Sequence, residues 1–272
     1  VYYKYITNGD GKLVNAEFNK AVLYKNYNNK ENQINEILWA LNITGYECKY
    51  SDPRFSKTYE YGIFREQYMT LEEYKKKYFD SSRPYTVGLL ESNMYVSNGQ
   101  LQPYYALIKS LEAKGCNVIP VVAAGGSENQ LKVMVKYFTN APSYEAYLNN
   151  PLKYTNNVNA IISMPAYGIG GNLFDNTTKY FETAGVPVFR AVHSDYVSNE
   201  EWELSATGLP GNRSDKWWHV AIGEAQGIIE ATFVGGVTHE ISSKTGAQLS
   251  GFKAHEKNID LFTKRIVSWI NL

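Results

Sequence analysis

Cysteine is scarce in this chain, and Cys48 and Cys116 are the only two among its 272 residues. Neither has a second cysteine or a histidine at the spacing that a zinc finger needs, which argues against a structural zinc site. Cys116 stands at the start of an apolar run, where a buried and chemically inert thiol is expected.

The chain also lacks a long apolar run, an excess of one charge and a nucleotide-binding motif. No stretch of about 18 apolar residues occurs, so no transmembrane helix is predicted. Lysine plus arginine and aspartate plus glutamate number 27 each, so we expect no basic surface for a nucleic acid. No phosphate-binding P-loop is present, so ATP hydrolysis by this segment is not expected.

Short apolar runs alternate with segments of helical periodicity from Tyr85 onward. The predicted strands span residues 85–90, 117–123, 159–164, 186–192 and 231–234. The predicted helices span residues 101–114, 128–139, 173–183, 217–229 and 257–270. The runs lack a polar face, as strands buried on both sides do. The pattern predicts an α/β fold, a doubly wound parallel sheet of about five strands with helices on both faces.

The first 58 residues differ from the rest and predict a small helical lead-in, residues 1–58, that packs against a Rossmann-like α/β domain, residues 59–272. One amphipathic helix is indicated by apolar residues from Ile34 to Leu41, and another is predicted over residues 15–27. Thr70 and Glu73 form a capping-box pattern that predicts a further helix start. Acidic residues after Ser198 predict another.

A short segment near the start resembles part of a calcium loop. Asn8, Asp10, Gly11 and Glu17 fall at ligand positions of that loop, but Ile6 stands where its first carboxylate belongs. A tight turn is therefore favoured over a calcium site.

Glycines and small polar residues follow several predicted strands. Ligands of doubly wound sheets bind at the carboxyl ends of the strands, where small residues let a ligand approach the backbone. Gly235 and Gly236 follow the last predicted strand, and Gly170 precedes a predicted helix where an anion would fit. The residues that we expect nearest a bound substrate are Ser92, Asn93, Tyr167, Gly170 and His193.

The stretch from Val186 to Gly236 contains the most specific motif. Its members are Val186-Pro187-Val188, Glu200-Glu201-Trp202, Gly208-Leu209, Val220-Ala221, Glu224, Gly227, Glu230 and Gly235. In order and spacing they resemble the large subunit of tetrapyrrole metal chelatases, the family of the cobaltochelatase CobN subunit and the magnesium chelatase H subunit. Further motifs extend the resemblance over residues 59–272. Members of that family are several times longer, so the resemblance implies one segment of a large subunit.

This resemblance implies a metal-inserting enzyme, as in cobalamin biosynthesis, which is a ligase that forms nitrogen–metal bonds. The large subunit holds a tetrapyrrole and receives cobalt or magnesium as a substrate. An AAA+ ATPase partner uses the ATP, and a second accessory subunit assists. No cofactor is expected in this segment. The alternative is a non-catalytic relative that binds a tetrapyrrole or is displayed on a cell surface.

Metal insertion releases two pyrrole protons, and two glutamates are candidates to accept them. The resemblance places a functional glutamate near Glu224, which lies among apolar residues of a predicted helix, where partial burial would suit proton transfer. A helix-surface salt-bridge partner is the alternative. Glu230 follows at the predicted helix end, where it is either a second base or a residue that holds the turn.

Five positions depart from the family pattern. Asn93 stands where the family often has histidine, Gly223 replaces a proline before Glu224, and Ala225-Gln226 replace Leu-Asp after it. His193 stands where the family more often has an apolar residue. Its imidazole would bind a metal ion or a tetrapyrrole side chain, or else form hydrogen bonds at the rim of the site.

No secretory signal is recognised, so a cytoplasmic location is expected. An exported or cell-surface protein is the alternative, because Asn42, Asn176 and Asn212 each begin an acceptor pattern for N-glycosylation.

Overall fold

The computed structural model describes residues 20–24, 30–53, 61–166, 168–170, 174–209, 216–244, 246 and 248–272. The chain divides into two compact units, Val1–Tyr59 and Glu60–Leu272. In the first unit, residues 20–24 are helical and α1 (Lys30–Ile43) is the predicted amphipathic helix. The calcium-like segment lies outside the described residues. Packing of the first unit on the sheet stays a prediction.

The second unit is built on one sheet. Its described strands are β1 (Tyr61–Arg65), β2 (Gln67–Met69), β3 (Tyr85–Ser92), β4 (Cys116–Ala123), β5 (Ala160–Ser163), β6 (Val188–Ser194), β7 (Ile229–Ile241) and β8 (Gln248–Ala254). They lie in the order β2-β1-β4-β3-β5-β6-β7-β8. The five neighbouring strands β4, β3, β5, β6 and β7 run parallel, which confirms the predicted doubly wound sheet.

Three antiparallel strands at the sheet edges were not predicted. β1 and β2 form a tight hairpin through Glu66, whose φ of 64° closes the turn, and β1 pairs with β4. β8 pairs with β7 to form the other edge. β1 and β2 are five and three residues long, too short for a periodic pattern to stand out.

Helices cover both faces of the sheet. The described helices of this unit are α2 (Leu71–Tyr78), α3 (Asn93–Ser97), α4 (Gln102–Ala113), α5 (Glu128–Phe138), α6 (Tyr144–Asn149), α7 (Phe174–Ala184), α8 (Asn199–Leu204), α9 (Ile222–Ala225) and α10 (Glu256–Ile270), with a 3₁₀ turn at Pro151–Lys153 and a π-helix at Lys216–Ala221. One core packs α4 and α10 on β3 through Leu107, Phe262 and Leu89. The other packs α5 on the opposite face through Phe138 and Leu90. None of the described helices is long and apolar enough to cross a membrane.

The predicted helix over residues 217–229 is shorter in the structure. The π-helix ends at Ala221 and α9 continues to Ala225. Gly227 follows with a φ of 84°, which is a left-handed conformation that ends helices. β7 then begins at Ile229 and runs well past the predicted strand over residues 231–234. Glu230 therefore lies in a strand and not at a helix end.

The strand order sets the place where a ligand site is expected. From β3 the chain passes to β4 on one side, and then to β5, β6 and β7 on the other side. The connections diverge between β3 and β5, and the crevice at the carboxyl ends of these strands is where doubly wound sheets bind their ligands.

Candidate functional site

Glu91 and His193 form a buried pair at this switch point, and each is only 2% exposed. β5 lies between their strands β3 and β6, but it ends at Ser163, which pairs with Leu90 on one side and Arg190 on the other. Beyond that end, Nε2 of His193 lies 3.1 Å from Oε2 of Glu91. The two side chains thus meet over the end of the short central strand.

Arg190 places a positive charge near Glu91. Burial lowers the pKa of the Arg190 guanidinium to about 10, against the opposing effect of Glu91, so Arg190 remains a cation at neutral pH. Nη1 of Arg190 donates to Oγ of Ser163 at 3.1 Å and to the carbonyl of Pro165. The backbone N–H of Ser92 donates to Oε1 of Glu91 at 2.6 Å. These partners offset the cost of burying a carboxylate.

His219 places a second imidazole near His193. It is 2% exposed in the π-helix, and the two ring centroids are 5.9 Å apart. Burial, then the charges of His193 and Arg190, hold the pKa of His219 well below its usual 6.5, so its ring is neutral at pH 7. A neutral imidazole can accept a proton or bind a metal ion.

The nitrogens of these two rings are largely unused. Nδ1 of His219 and both ring nitrogens of His193 lack a hydrogen-bond partner among the residues that the structure describes. The 3.1 Å approach of His193 to Glu91 is therefore a close contact between the imidazole and the carboxylate and not a well-directed hydrogen bond.

Aromatic rings hold His193 in place. The Tyr95 ring meets it edge-on at 4.4 Å between centroids, and Phe252 of β8 lies at 5.1 Å. The Tyr95 hydroxyl donates to Oδ2 of the exposed Asp195 at 3.1 Å. The β7–β8 hairpin thus contributes one wall of the site.

Three large side chains close in sequence to members of this buried group are exposed. Met94 follows β3 and is 49% exposed, Tyr196 follows β6 and is 50% exposed, and Trp217 precedes His219 and is 60% exposed. We call these three residues the rim.

Gly235 and Gly236 do not face a ligand, so that expectation is wrong. A Cβ on Gly236 would lie 2.0 Å from the carbonyl oxygen of Val197, and one on Gly235 would lie 2.6 Å from that of Lys253. Because Gly236 has no side chain, the segment that follows β6 can pack directly against β7. In that segment, Oγ of Ser194 accepts the N–H of Val197 at 3.1 Å. The glycines therefore fix the loop that carries Asp195 and Tyr196.

Three of the five predicted substrate residues come together at this edge. Ser92 caps α3, with its Oγ accepting the N–H of Met94 at 3.4 Å, and the half-buried Asn93 begins that helix. His193 belongs to the buried pair. Gly170 is buried and its N–H already donates to Oε1 of Gln130 at 3.2 Å. Tyr167 lies outside the described residues.

The structure does not bring Glu224 and Glu230 into this group. Glu224 is exposed at the end of the helical segment, so the expected partial burial is wrong. Glu230 lies at the start of β7, the opposite end from the segment that pairs with His193. Its Oε1 lies 3.0 Å from Nη2 of Arg265 and accepts the indole N–H of Trp269 at 3.4 Å. Glu230 therefore links β7 to α10, and a catalytic role of either glutamate stays a prediction.

Two residues of the site were missed in the sequence. Glu91 is a carboxylate at the end of an otherwise apolar strand, and that position is a usable signal for a buried charge. His219 gave no such signal, because the helix around it was predicted to be longer and regular. Within the described part of the chain, no three His, Cys, Asp or Glu side chains are grouped to hold a metal ion.

Comparison with known proteins gives consistent matches. The family model described as CobN/Magnesium Chelatase matches residues 22–272. An uncharacterized protein of Methanocaldococcus jannaschii is 27% identical over 266 residues, which covers 93% of this chain and 19% of that protein. The aerobic cobaltochelatase subunit CobN of Sinorhizobium sp is 24% identical over 190 residues, which covers 70% of this chain and 14% of that protein.

The fold matches as well. The catalytic subunit of cobaltochelatase from Mycobacterium tuberculosis superimposes with a TM-score of 0.59 at 14% identity, over 93% of this chain and 19% of that chain. The chain thus spans no more than about a fifth of the length of these relatives. The family match begins at residue 22 and so reaches further than the motifs in residues 59–272. Because that match covers nearly the whole chain, the chain belongs to the CobN/magnesium chelatase family and corresponds to a segment of the large subunit.

Proposed function

We propose that this segment forms part of the tetrapyrrole site of a chelatase large subunit and accepts protons while a divalent metal ion is inserted. The observation that carries the proposal is the buried Glu91–His193 pair at the switch point of the sheet, 3.1 Å apart. Family membership supplies the class of reaction, and the pair supplies the acid–base chemistry that this reaction needs.

Insertion exchanges two N–H bonds of the macrocycle for bonds to the metal ion. The divalent ion gains the nitrogen lone pairs and two protons leave, so the charge is balanced when bases take both protons. A carboxylate in contact with an imidazole is a suitable acceptor, because the negative carboxylate stabilises the positive charge that the imidazole gains when it takes a proton.

The rim supports a flat, apolar ligand. Tyr196 and Trp217 offer aromatic surface, and Met94 offers a polarizable thioether. Large apolar side chains that are half exposed around buried polar groups are typical of a ligand site. In this proposal the half-buried Asn93 donates a hydrogen bond to a macrocycle carboxylate.

The remaining components follow from the family. The metal, cobalt or magnesium, is a substrate, and an AAA+ ATPase with an accessory subunit completes the enzyme. The longer chain of the relatives carries the rest of the large subunit. These proposals concern the whole protein and rest on family membership alone.

The binding proposal is tested by titrating the 272-residue chain with a free-base porphyrin or a cobyrinic acid derivative and following the ligand's absorbance. We expect saturable binding that Trp217→Ala and Tyr196→Ala weaken. Trp269→Ala is the matched control, because that indole contacts Glu230 at the other end of β7. Absence of any spectral change, or equal weakening by all three variants, would remove the support for the rim.

A non-catalytic tetrapyrrole-binding relative is the second candidate. Asn93 in place of a histidine and the exposed position of Glu224 favour it. The two candidates differ in one measurement, since only the enzyme inserts metal when the full-length protein is combined with its ATPase partner.

A further inference from the structure

We propose that His193 and His219 together bind a divalent transition-metal ion, and that Glu91 orients His193 from behind. This inference rests on the proposed function and deepens it. It assigns the position at which the metal substrate is held before it enters the macrocycle, and it names the class of metal.

The distance between the two rings suits a shared ion. Their centroids are 5.9 Å apart and the ring planes are inclined by 70°. Metal–imidazole bonds of about 2.0–2.1 Å in tetrahedral geometry place two ring centroids on the order of 5–6 Å apart. The separation of the two rings is therefore in the range that two histidines bound to one ion have.

The open nitrogens are the second observation. Nε2 of His193 faces Glu91, which leaves its Nδ1 for a metal ion, and Nδ1 of His219 is buried without a hydrogen-bond partner in the described part of the chain. Leaving buried polar atoms unpartnered is costly, so such atoms in a folded protein call for an explanation. A metal ion would satisfy both.

Glu91 has the position of a supporting carboxylate. Metal-binding histidines commonly contact a carboxylate through the other ring nitrogen, which fixes the ring and strengthens the metal bond. Arg190 balances the charge of Glu91 when the ion is absent. His219 lies in a π-helical turn, a distortion that recurs at functional sites.

Two protein ligands suit a holding site better than a permanent one. The remaining coordination positions are left to water and then to the nitrogens of the macrocycle, which can take the ion over. Imidazole favours cobalt, nickel, copper and zinc, whereas magnesium favours oxygen ligands. The pair therefore points to a cobalt-type ion and not to magnesium.

The other described histidines do not share these features. Nε2 of His255 lies 3.0 Å from Oε1 of Glu203, and its Nδ1 accepts the N–H of Asn258 at 3.3 Å, so it caps α10. His239 is exposed on the hairpin. His239→Ala is therefore a matched control.

The experiment is a titration of the 272-residue chain with cobalt(II) chloride alone, followed by ligand-field absorbance and by calorimetry. We expect one ion per chain. His193→Ala and His219→Ala should each lower the affinity by about 100-fold or more, and Glu91→Gln by about 10–100-fold. His239→Ala and excess magnesium chloride should leave cobalt binding unchanged.

Folding is checked by thermal melting, and His219→Gln replaces His219→Ala if the alanine variant melts early. Unchanged affinity in both the His193 and the His219 variants, or no cobalt binding at all, would overturn the inference. Porphyrin binding without cobalt binding would leave the proposed function intact while this inference fails. Cobalt binding without porphyrin binding would support the metal site, while the proposed tetrapyrrole binding fails.

Discussion

The carboxylate of Glu91 reaches the imidazole of His193 across the end of a strand that belongs to neither residue. β5 ends at Ser163, and Pro165 beyond it has no N–H with which to continue the ladder. The carbonyl of Pro165 instead accepts a hydrogen bond from Arg190. A longer β5 would separate the two side chains, so the early end of this strand creates the site.

Glu91→Gln should destabilise the protein strongly. The change removes the buried negative charge near Arg190, and leaving a buried charge uncompensated costs about 3–5 kcal/mol of unfolding free energy. Urea unfolding measures the loss. Glu200→Gln is the control, because its pair with Lys253 is exposed and such pairs contribute at most about 1 kcal/mol. Equal effects of the two changes would contradict a buried charge pair.

Gly236→Ala should destabilise the protein by about 1–3 kcal/mol or more, because the added Cβ would overlap the carbonyl oxygen of Val197. Gly251→Ala is the control, since its nearest neighbour is a side-chain methyl of Thr238 at 3.3 Å. Thermal melting of both variants tests the prediction. A larger loss for Gly251→Ala would show that the loop after β6 does not depend on close contact with β7.

Acid should destabilise the folded chain through His219. Burial, His193 and Arg190 lower the pKa of His219 in the folded protein. Glu91 is the acidic group of the same site and acts on Arg190. Below the ordinary pKa of 6.5, the unfolded chain binds a proton that the folded chain does not. Stability is therefore present above that pH and falls as pH decreases, by up to about 1.4 kcal/mol per pH unit.

The measurement is unfolding free energy from pH 8 to pH 5 for the parent, for His219→Asn and for His239→Asn. We expect a shallower dependence only in the His219 variant. A parent-like slope in that variant would assign the acid sensitivity to other groups.

Metal insertion by the full complex separates the two candidate bases. Glu91→Gln should slow it by about 10²–10³-fold, the cost of losing one transition-state interaction of about 3–4 kcal/mol. The Glu224→Gln variant should melt at the same temperature as the parent, because Glu224 is exposed. Glu201→Gln is the control, since that residue closes the capping box of α8. A slow Glu224 variant with parent-like melting would instead give Glu224 the role that the family resemblance implies.

Much of the fold follows from local patterns. The apolar runs predicted the five parallel strands, because strands buried on both faces need no polar alternation. The capping box at Thr70 and Glu73 and the glycine after α4 mark helix ends by satisfying or ending backbone hydrogen bonds within a few residues. The chelatase motif predicted the family, which the comparison confirms.

The site itself was decided by the tertiary structure. Glu91 and His193 are far apart along the chain, and they meet only because β5 is short and lies between their strands. Phe252 reaches His193 through an edge strand that was not predicted, and Glu224 is exposed although it lies in a helix. Local propensity acts over a few residues, whereas burial and pairing of charges depend on strand order, register and strand ends. The sequence by itself therefore determined the family and the parallel sheet, and the tertiary structure decided which charged groups face each other.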